Sequence, residues 1–466
     1  MDDRTLPEAL FNGPVILDRS RHSISRRNID YDALKVLYRL SSHSFIAYLV
    51  GGAVRDLLLG RRPADFDVGT DAHPNQIKKL FRNAFLIGRR FRLAHVKFQG
   101  GKIIEVSTFR RKPDEEELRA EREEEMRAAE AERAREDADT PDIGPLESSE
   151  AAAARPPRKP IPIPGRPPLK PIAFGTPRED AFRRDITINA LFYDIATYSV
   201  IDYVGGLDDL RRGRIRIIGD PAESYTEDPV RIWRVIRHAS RLNFMIEEQT
   251  ESAIASHRHL LAASAGSRLF EELNKDMKSG QARAFFELAR RHSLLPVILG
   301  GLGACYQRSD EAFSRLAGYL SALDAEVADG RSPAPEIAYS LLLWPWARTV
   351  LADAQGDKPK ALYEAFRATR PATQIPKGIL IDVVQTLVIV EHMLEALSTG
   401  RMRWALKKRA HYPGASKICS LLVRGSFGEG GDPFERIFCA RFEPGRPPGR
   451  PRGRRRRPHR RRQHPS

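Results

Sequence analysis

Cysteine is scarce in this sequence, and the few cysteines are scattered. Cys305, Cys419 and Cys439 are an odd number of widely spaced thiols, and no Cys-X-X-Cys pair occurs. This spacing excludes a disulfide framework and a zinc site. We expect the thiols to behave as small buried hydrophobes in the reducing cytoplasm.

Long apolar runs are also absent, and no segment approaches the ~20 residues needed to cross a bilayer. The first residues, MDDRTLPEALFNG, are acidic and mixed, which predicts no secretion signal. Positive charge is abundant, with 77 Lys and Arg against 61 Asp and Glu and a net charge of +16. This surplus favours a polyanionic partner, either nucleic acid or an anionic membrane surface.

Composition divides the 466 residues into four regions. Residues 23–110 and 178–222 alternate short helical and strand patterns, which predicts one α+β unit with a small mixed sheet of about four or five strands. Residues 111–177 are charge-dense and then proline-rich, which predicts a disordered insertion in a surface loop. Residues 223–440 are mostly helical in pattern, and residues 441–466 predict a disordered arginine-rich tail.

Two aspartates with one residue between them are the first candidate site. In a strand, Asp65 and Asp67 project to the same side, whereas Phe66 points to the other. Two carboxylates on one side repel each other unless a cation lies between them, and Mg²⁺ prefers oxygen ligands. A bare Asp-X-Asp pattern is more often surface charge or a turn, so the neighbouring residues must decide.

A pair of glycines precedes these aspartates, and all four residues lie within a span of about 17 residues. Gly51 and Gly52 separate an apolar strand from a helix, so the backbone there can approach a phosphate closely. Arg55, in the first turn of that helix, could contact a triphosphate. A glycine pair alone is usually a tight turn, but together with the aspartates it indicates a site for a nucleotide and a metal.

The strand KIIEVSTF at 102–109 could supply a third carboxylate. Ile104, Val106 and Thr108 alternate with Glu105, which predicts that Glu105 faces away from the core. Glu105 could then join Asp65 and Asp67 as a metal ligand. The alternative is a solubilising charge on an edge strand.

The segment AFRRDITINALFYD at 181–194 has apolar residues at helical spacing, which predicts a helix. Arg184 would then lie in its first turn, where a positive charge opposes the helix dipole. This placement favours contact of Arg184 and Asn189 with a nucleotide, with Asp185 as a ribose or metal-site partner. The alternative is a salt-bridged helix start. Short strands near 199–203 and 214–218 are expected to complete the sheet.

The segment EDPVRIWRVIRHASRL at 227–242 predicts a helix with one apolar and one arginine-rich side. Glu227, Asp228 and Arg231 at its start could select a base, since carboxylates accept and guanidinium groups donate hydrogen bonds at a base edge. Arg234 and Arg237 could line the phosphate path. The alternative is a solvated basic surface.

These motifs, in this order, resemble those of the class II tRNA nucleotidyltransferase and bacterial poly(A) polymerase family. The resemblance covers residues ~23–110 and ~180–275, through LVGGAVRDLLLG, PADFDV, IIEVSTFR, RRDITINALFYD, DYVGGLDDL, GRIRIIGDP and EDPVRIWRVIRHASRL. It implies a polymerase-β-like head, an all-helical neck and body, and Mg²⁺. It also implies that Asp65, Asp67 and Asp185 are the active-site acids and that the segment from Glu227 to Arg231 selects the base.

Three features resemble the poly(A) polymerases more than the CCA-adding enzymes. They are RHSISRRNID, the segment LFRNAFLIGRRFRLAHVKF at 80–98, and the arginine-rich tail. Departures from the family pattern are Ile186 in place of an aromatic residue, His238 in place of phenylalanine, and the long insertion.

The resemblance therefore implies a cytoplasmic enzyme that adds AMP from ATP to RNA 3′ ends without a template, by two-metal nucleotidyl transfer. One alternative is CCA addition to tRNA, which the head motifs do not exclude. A second is a non-catalytic RNA-binding adaptor, against which the complete set Asp65, Asp67 and Asp185 argues. The tail could also bind a membrane surface or a protein instead of RNA.

Overall fold

A computed structural model describes four stretches of the chain, namely residues 13–87, 93–112, 173–399 and 404–427. The described residues form two compact units. The first runs to Glu227 and includes Leu242–Ala253, and the second contains Asp228–Arg241 and the residues from Ile254 onward. Most of the predicted insertion and the whole predicted tail lie outside the described residues, as does Cys439.

The first unit is built on short strands and helices. Its strands are β1 (Val15–Leu17), β2 (Ala47–Val50), β3 (Asp67–Thr70), β4 (Ala84–Ile87), β5 (Leu93–Lys97), β6 (Ile103–Thr108), β7 (Arg110–Arg111), β8 (Ala173–Phe174), β9 (Leu191–Asp194), β10 (Ser199–Asp202), β11 (Arg214–Ile215) and β12 (Met245–Ile246). Its helices are Tyr31–Ser42, Gly52–Leu58, Pro74–Leu80, Pro177–Phe182, Gly206–Arg212 and Pro221–Glu227. The helix Glu248–His257 continues across the boundary between the units.

Eight strands form one mixed sheet in the order β1-β10-β9-β2-β3-β6-β5-β4. Strands β3 and β6 are parallel, and the other neighbouring pairs are antiparallel. The predicted mixed sheet is confirmed, but it is larger than the four or five strands expected. The strand expected near 214–218 is β11, which pairs in parallel with β12 in a separate sheet instead of completing the first.

The prediction of a helix over 181–194 is wrong. The helix Pro177–Phe182 ends at the start of this segment. A single 3-10 turn then covers Thr187–Asn189, and β9 follows in the middle of the sheet. Leu191 and Tyr193 pack in one apolar cluster and Phe192 in another. Because both sides of β9 are buried, its apolar residues do not alternate with polar ones, and they imitate helical spacing.

One side of the sheet is covered by the helix Tyr31–Ser42. The Asp30 carboxylate caps this helix by accepting hydrogen bonds from the amides of Asp32 and Ala33 at 2.9 and 3.3 Å. Four buried residues of the helix pack with the sheet residues Val68 and Val106.

The opposite side of the sheet is covered over part of its width. Val50, Phe192 and Ile201, on β2, β9 and β10, form a second apolar cluster with Phe109 and Ala181. This cluster ends at β3, the strand that begins with Asp67. Beyond β3, at the edge of the sheet, the large apolar side chains of Phe85 and Ile87 on β4 remain exposed.

Strands β7 and β8 pair with each other at the base of the predicted insertion. Arg110 lies opposite Phe174 and Arg111 opposite Ala173 in an antiparallel register. The two ends of the described chain on either side of the predicted insertion, at Lys112 and Ala173, therefore lie close together.

The described part of the second unit is helical, as the sequence predicts. Its helices are Val230–Leu242, Gly266–Met277, Ala282–Arg291, Leu295–Leu299, Gly301–Arg308, Asp310–Ala328, Pro335–Asp353, Lys358–Ala368, Lys377–Thr399 and Tyr412–Phe427. Across the described residues of both units, none of the helices combines the length and the apolarity that crossing a bilayer requires.

Candidate active site

Three carboxylates lie along one edge of the second apolar cluster. Asp67 opens β3, Asp65 lies two residues before it, and Glu105 lies on β6. Because Val68 pairs with Val106 in parallel register, Asp67 and Glu105 are neighbours on the same side of the sheet. The structure therefore brings together the three carboxylates that the sequence singled out.

The crowding of these carboxylates affects the pKa of Asp67. Its carboxylate keeps accessible surface but is surrounded by protein atoms, and the loss of hydration is the largest influence on its pKa. The negative charges of Glu105 and Asp65 add to it, while Arg184 acts in the opposite sense, and the pKa of Asp67 is raised to about 6. The carboxylate of Asp67 therefore lies in an electronegative environment that favours binding of a cation.

The carboxylates do not form a closed metal cage. Glu105 Oε1 lies 3.3 Å from His95 Nε2, and among the described residues no three acidic, histidine or cysteine side chains converge closely enough to enclose an ion. An open site of this kind suits Mg²⁺, which is commonly held by one or two carboxylates with substrate phosphates and water completing its ligands.

A glycine turn lies on the other side of Asp67. Gly51 has φ +72° and ψ −132°, and a Cβ atom built there would lie 3.1 Å from Arg184 Nη1 and 3.6 Å from the carbonyl oxygen of Asn189. Only glycine adopts this backbone conformation without strain. The turn thus brings the backbone of Gly51 beside Arg184, whose charge also acts on Asp67.

Two arginines fix this turn from opposite sides. Arg55 Nη1 donates to Asn189 Oδ1 at 2.6 Å, and Arg184 Nη1 donates to the carbonyl oxygen of Asn189 at 3.1 Å. Arg55 is buried and also donates to Asp56 at 2.9 Å. The guanidinium of Arg55 is therefore hydrogen-bonded to Asn189 and Asp56. Arg184 is more exposed and is better placed to contact a phosphate.

Sequence analysis did not identify Asp180, which holds Arg184 in place. Asp180 Oδ2 accepts from Arg184 Nε and Nη2 at 3.0 and 2.9 Å, and its carboxylate is buried. The i, i+4 spacing of the two residues was an available signal. It was missed because Arg184 was expected in the first turn of a helix, whereas it follows the end of the helix Pro177–Phe182, where a positive charge is favourable.

Asp185 is buried next to a different segment. The amide of Ile218 donates to its carbonyl oxygen at 3.1 Å, and the amide of Thr187 donates to the carbonyl of Arg216 at 3.0 Å. The backbone around Asp185 is therefore anchored to the segment from Arg216 to Ile218.

The predicted base-selecting residues lie where the first unit gives way to the second. Glu227 ends the first unit and contacts Lys112 Nζ at 3.3 Å. Asp228 opens the second unit, where its carboxylate accepts from the amide of Val230 at 3.2 Å. Arg268 donates to both oxygens of Asp228, at 2.9 and 2.7 Å, a partner that sequence analysis did not identify.

Arg231 and Arg234 are half-buried on the helix Val230–Leu242, but Arg237 departs from its predicted place in a phosphate path. Its guanidinium is buried and donates to Asp276 through Nε at 2.6 Å and Nη2 at 2.9 Å, and it also pairs with Glu272. Burial disfavours the charged guanidinium, but the carboxylates of Asp276 and Glu272 stabilise it more strongly. The pKa of Arg237 is therefore raised. We therefore assign Arg237 a structural role, because its donors point into the second unit.

Comparison with known proteins agrees with this architecture. A family model described as "Poly A polymerase head domain" matches residues 47–216, and one described as "Probable RNA and SrmB- binding site of polymerase A" matches residues 243–305. The "Poly(A) polymerase I" of Salmonella typhi is 37% identical over 354 residues, which is 76% of this chain and 68% of that protein. The chain belongs to the bacterial poly(A) polymerase family. Its predicted membership, and at family level the predicted nucleotidyltransferase class, are confirmed.

Other members and relatives extend this comparison. The "Poly(A) polymerase I" of Escherichia coli O157:H7 is 36% identical to this chain. The aligned part covers 71% of this chain and 63% of that relative. A "CCA-adding enzyme" of Bacillus pumilus is 34% identical over 53% of this chain and 49% of its own length. The crystal structure of Bacillus stearothermophilus CCA-adding enzyme in complex with CTP has a TM-score of 0.58 and 22% identity, and covers 88% of this chain and 81% of that one. At this identity the likeness shows the shared fold.

Proposed function

We propose that this poly(A) polymerase family member transfers AMP from ATP to the 3′ hydroxyl of RNA without a template. The observation that carries the proposal is the open carboxylate site at Asp67 directly beside the Gly51 and Arg184 turn. Such a site suits attack of a hydroxyl on a phosphate, because metal-binding oxygens and phosphate-binding groups lie next to each other. The match to "Poly(A) polymerase I" relatives over most of the chain supports adenylate transfer rather than CCA addition.

Mg²⁺ fits the residues present. Asp65 and Asp67 would hold it, with Glu105 available as a third ligand if it leaves His95. The donors are all carboxylate oxygens. Loss of hydration is the main reason why the pKa of Asp67 is raised, and a divalent cation would relieve the repulsion from Glu105 and Asp65 that adds to it. When bound, Mg²⁺ supplies activation of the attacking hydroxyl and neutralises charge on the leaving pyrophosphate.

The protein groups around this site would bind and orient the nucleotide. Gly51 and Gly52 let the backbone come close to the triphosphate, and Arg184 neutralises a phosphate oxygen. Arg55 acts through Asn189, whose side chain it holds at 2.6 Å. Asp185, which is buried, is the candidate partner of the ribose or of the metal site.

Base choice would fall to the segment that joins the two units. Glu227 and Asp228 can accept from the exocyclic amine of adenine, and Arg231 can donate to a ring nitrogen. Arg234 remains a candidate for the phosphate path. Since the Arg268 guanidinium binds both oxygens of Asp228, it orients the carboxylate that reads the base.

Purified protein with Mg²⁺ tests the proposal when it is offered ATP or CTP separately, with generic RNA and with tRNA that lacks its CCA end. We expect extension of both RNAs with ATP and little use of CTP. Asp67→Ala should abolish addition and retain RNA binding, whereas Asp208→Ala, whose side chain is 44% exposed on the helix Gly206–Arg212 of the same unit, should be fully active. Use of CTP confined to the tRNA would establish the CCA-adding alternative, and RNA binding without any addition would establish the adaptor. The cytoplasmic setting stays a prediction.

A further inference from the structure

Part of the sheet beside the carboxylates is exposed among the residues that the structure describes. Phe85 and Ile87 on β4 and Ile103 on β6 are 58%, 49% and 46% exposed, and His95 on β5 between them is partly buried. Ala84 and Ile104, which neighbour them in the chain, point to the opposite side and are buried in the cluster that includes the helix Tyr31–Ser42. We call this side of β4, β5 and β6 the open face.

The open face is continuous with the carboxylate site. Phe85 pairs with His95, His95 pairs with Glu105, and Glu105 lies beside Asp67 through the parallel register of β3 and β6. A row of side chains therefore crosses four strands from Phe85 to Asp67. Neighbouring strands lie about 4.8 Å apart, so this row is roughly 14 Å long.

The two directions along the sheet from Asp67 differ in chemistry. Toward β2 and β9 lie Gly51, Arg184 and Asn189, which take the incoming nucleotide in the function proposed above. In phosphoryl transfer the attacking and leaving oxygens are roughly in line. With the leaving pyrophosphate on the Gly51 side, the RNA 3′ end must approach over β6, β5 and β4.

The side chains on the open face suit unpaired nucleobases. Phe85 offers an exposed aromatic ring, Ile87 and Ile103 extend its apolar area, and the exposed Lys97 adds a positive charge. Bases stack on aromatic side chains without regard to sequence, which an enzyme that adds to any RNA end requires. Segment 80–98, which the sequence analysis singled out, builds two of these three strands.

We propose that the open face is a platform on which the terminal nucleotides of single-stranded RNA stack, with Phe85 as the stacking aromatic. This inference rests on the proposed function. It adds the direction from which RNA enters and a residue that contacts it. A protein partner or a second copy of this chain is the competing occupant of an exposed apolar surface.

The test compares Phe85→Ala and Phe85→Trp in the full-length chain with Mg²⁺ and ATP. We expect Phe85→Ala to raise the KM for a short single-stranded RNA by roughly fivefold or more, and Phe85→Trp to restore it. The KM for ATP and the dependence of RNA binding on salt should stay unchanged, because stacking releases no counterions. Tyr31→Ala is the matched control, since Tyr31 is 71% exposed on the helix that covers the opposite side of the sheet.

An RNA with an abasic second or third nucleotide from its 3′ end completes the test. With wild-type protein this RNA should show the same loss as Phe85→Ala, and the two changes together should add little further loss. Fully additive losses, or a KM for RNA within twofold of wild type, would overturn the inference. A change in sedimentation with unchanged RNA kinetics would assign the open face to a second copy. Failure of the proposed function is distinct, since wild-type protein would then add no AMP to the short single-stranded RNA.

Discussion

The buried pairing of Arg237 leads to a quantitative prediction. Replacement by glutamine leaves Asp276, which is 1% exposed, and the buried Glu272 without their main counter-charge. Removing one partner of a buried ion pair costs about 3–5 kcal/mol, because the remaining charge is left uncompensated. With a shift of ~2–4 °C for each kcal/mol in a unit of this size, Arg237→Gln should lower the melting temperature of the second unit by roughly 6–20 °C.

Thermal unfolding followed by circular dichroism at pH 7 measures this shift. Arg234→Gln is the matched control, since Arg234 lies one turn earlier on the same helix and is half-buried, and it should lower the melting temperature by much less. The KM for ATP of Arg237→Gln, assayed well below its transition, should stay close to that of wild type. A shift below about 2 °C together with a raised KM for ATP would refute the structural role and return Arg237 to the nucleotide site.

Three further predictions concern other parts of the chain. Burial opposes ionisation of Glu326, but hydrogen bonds from Arg331 and Lys417 lower its pKa to about 2. Its contribution to stability is therefore complete above the unfolded value of 4.5 and is lost as the pH falls toward 2, so the melting temperatures of wild type and Glu326→Gln should converge over that range. Replacing residues 113–172 by a short Gly/Ser linker should leave melting temperature and single-nucleotide addition nearly unchanged, and a cooperative loss of folding would contradict this. Truncation at residue 444 should shorten the products and flatten the salt dependence of RNA binding, since arginine contacts to phosphates release counterions; an unchanged salt slope would favour a membrane or protein partner for the tail.

The carboxylate site could be predicted from the sequence because its signals are local. Alternation along IIEVSTF fixes the side on which Glu105 lies. The strand expected to carry both aspartates begins only at Asp67, yet Asp65, two residues before it, still acts on the Asp67 carboxylate. What the sequence does not contain is the register that sets Val106 beside Val68 and so makes Glu105 a neighbour of Asp67. That register is decided by packing against the covering helix, between residues far apart in the chain.

The errors have a common physical origin in burial on more than one side. β9 imitates a helix because both of its sides are apolar, and Arg237 seemed to belong to a solvated basic stripe. The oppositely charged partners, Asp276 for Arg237 and Arg268 for Asp228, both come from the helix Gly266–Met277, some 40 residues away, and no pattern within one segment reveals them. Local periodicity therefore identifies which residues are buried more reliably than it identifies what they meet.

The antiparallel contact between β7 and β8 has a consequence for engineering. Residues paired across such strands lie about 5 Å apart, so the chain between Lys112 and Ala173 begins and ends at nearly one point. Doubling the length of a flexible loop costs only about 0.6 kcal/mol in closure entropy. A guest domain with adjacent termini, such as a fluorescent reporter, could be spliced in there without displacing the carboxylates, whereas one residue inserted into β3 or β6 would turn Asp67 or Glu105 to the other side of the sheet.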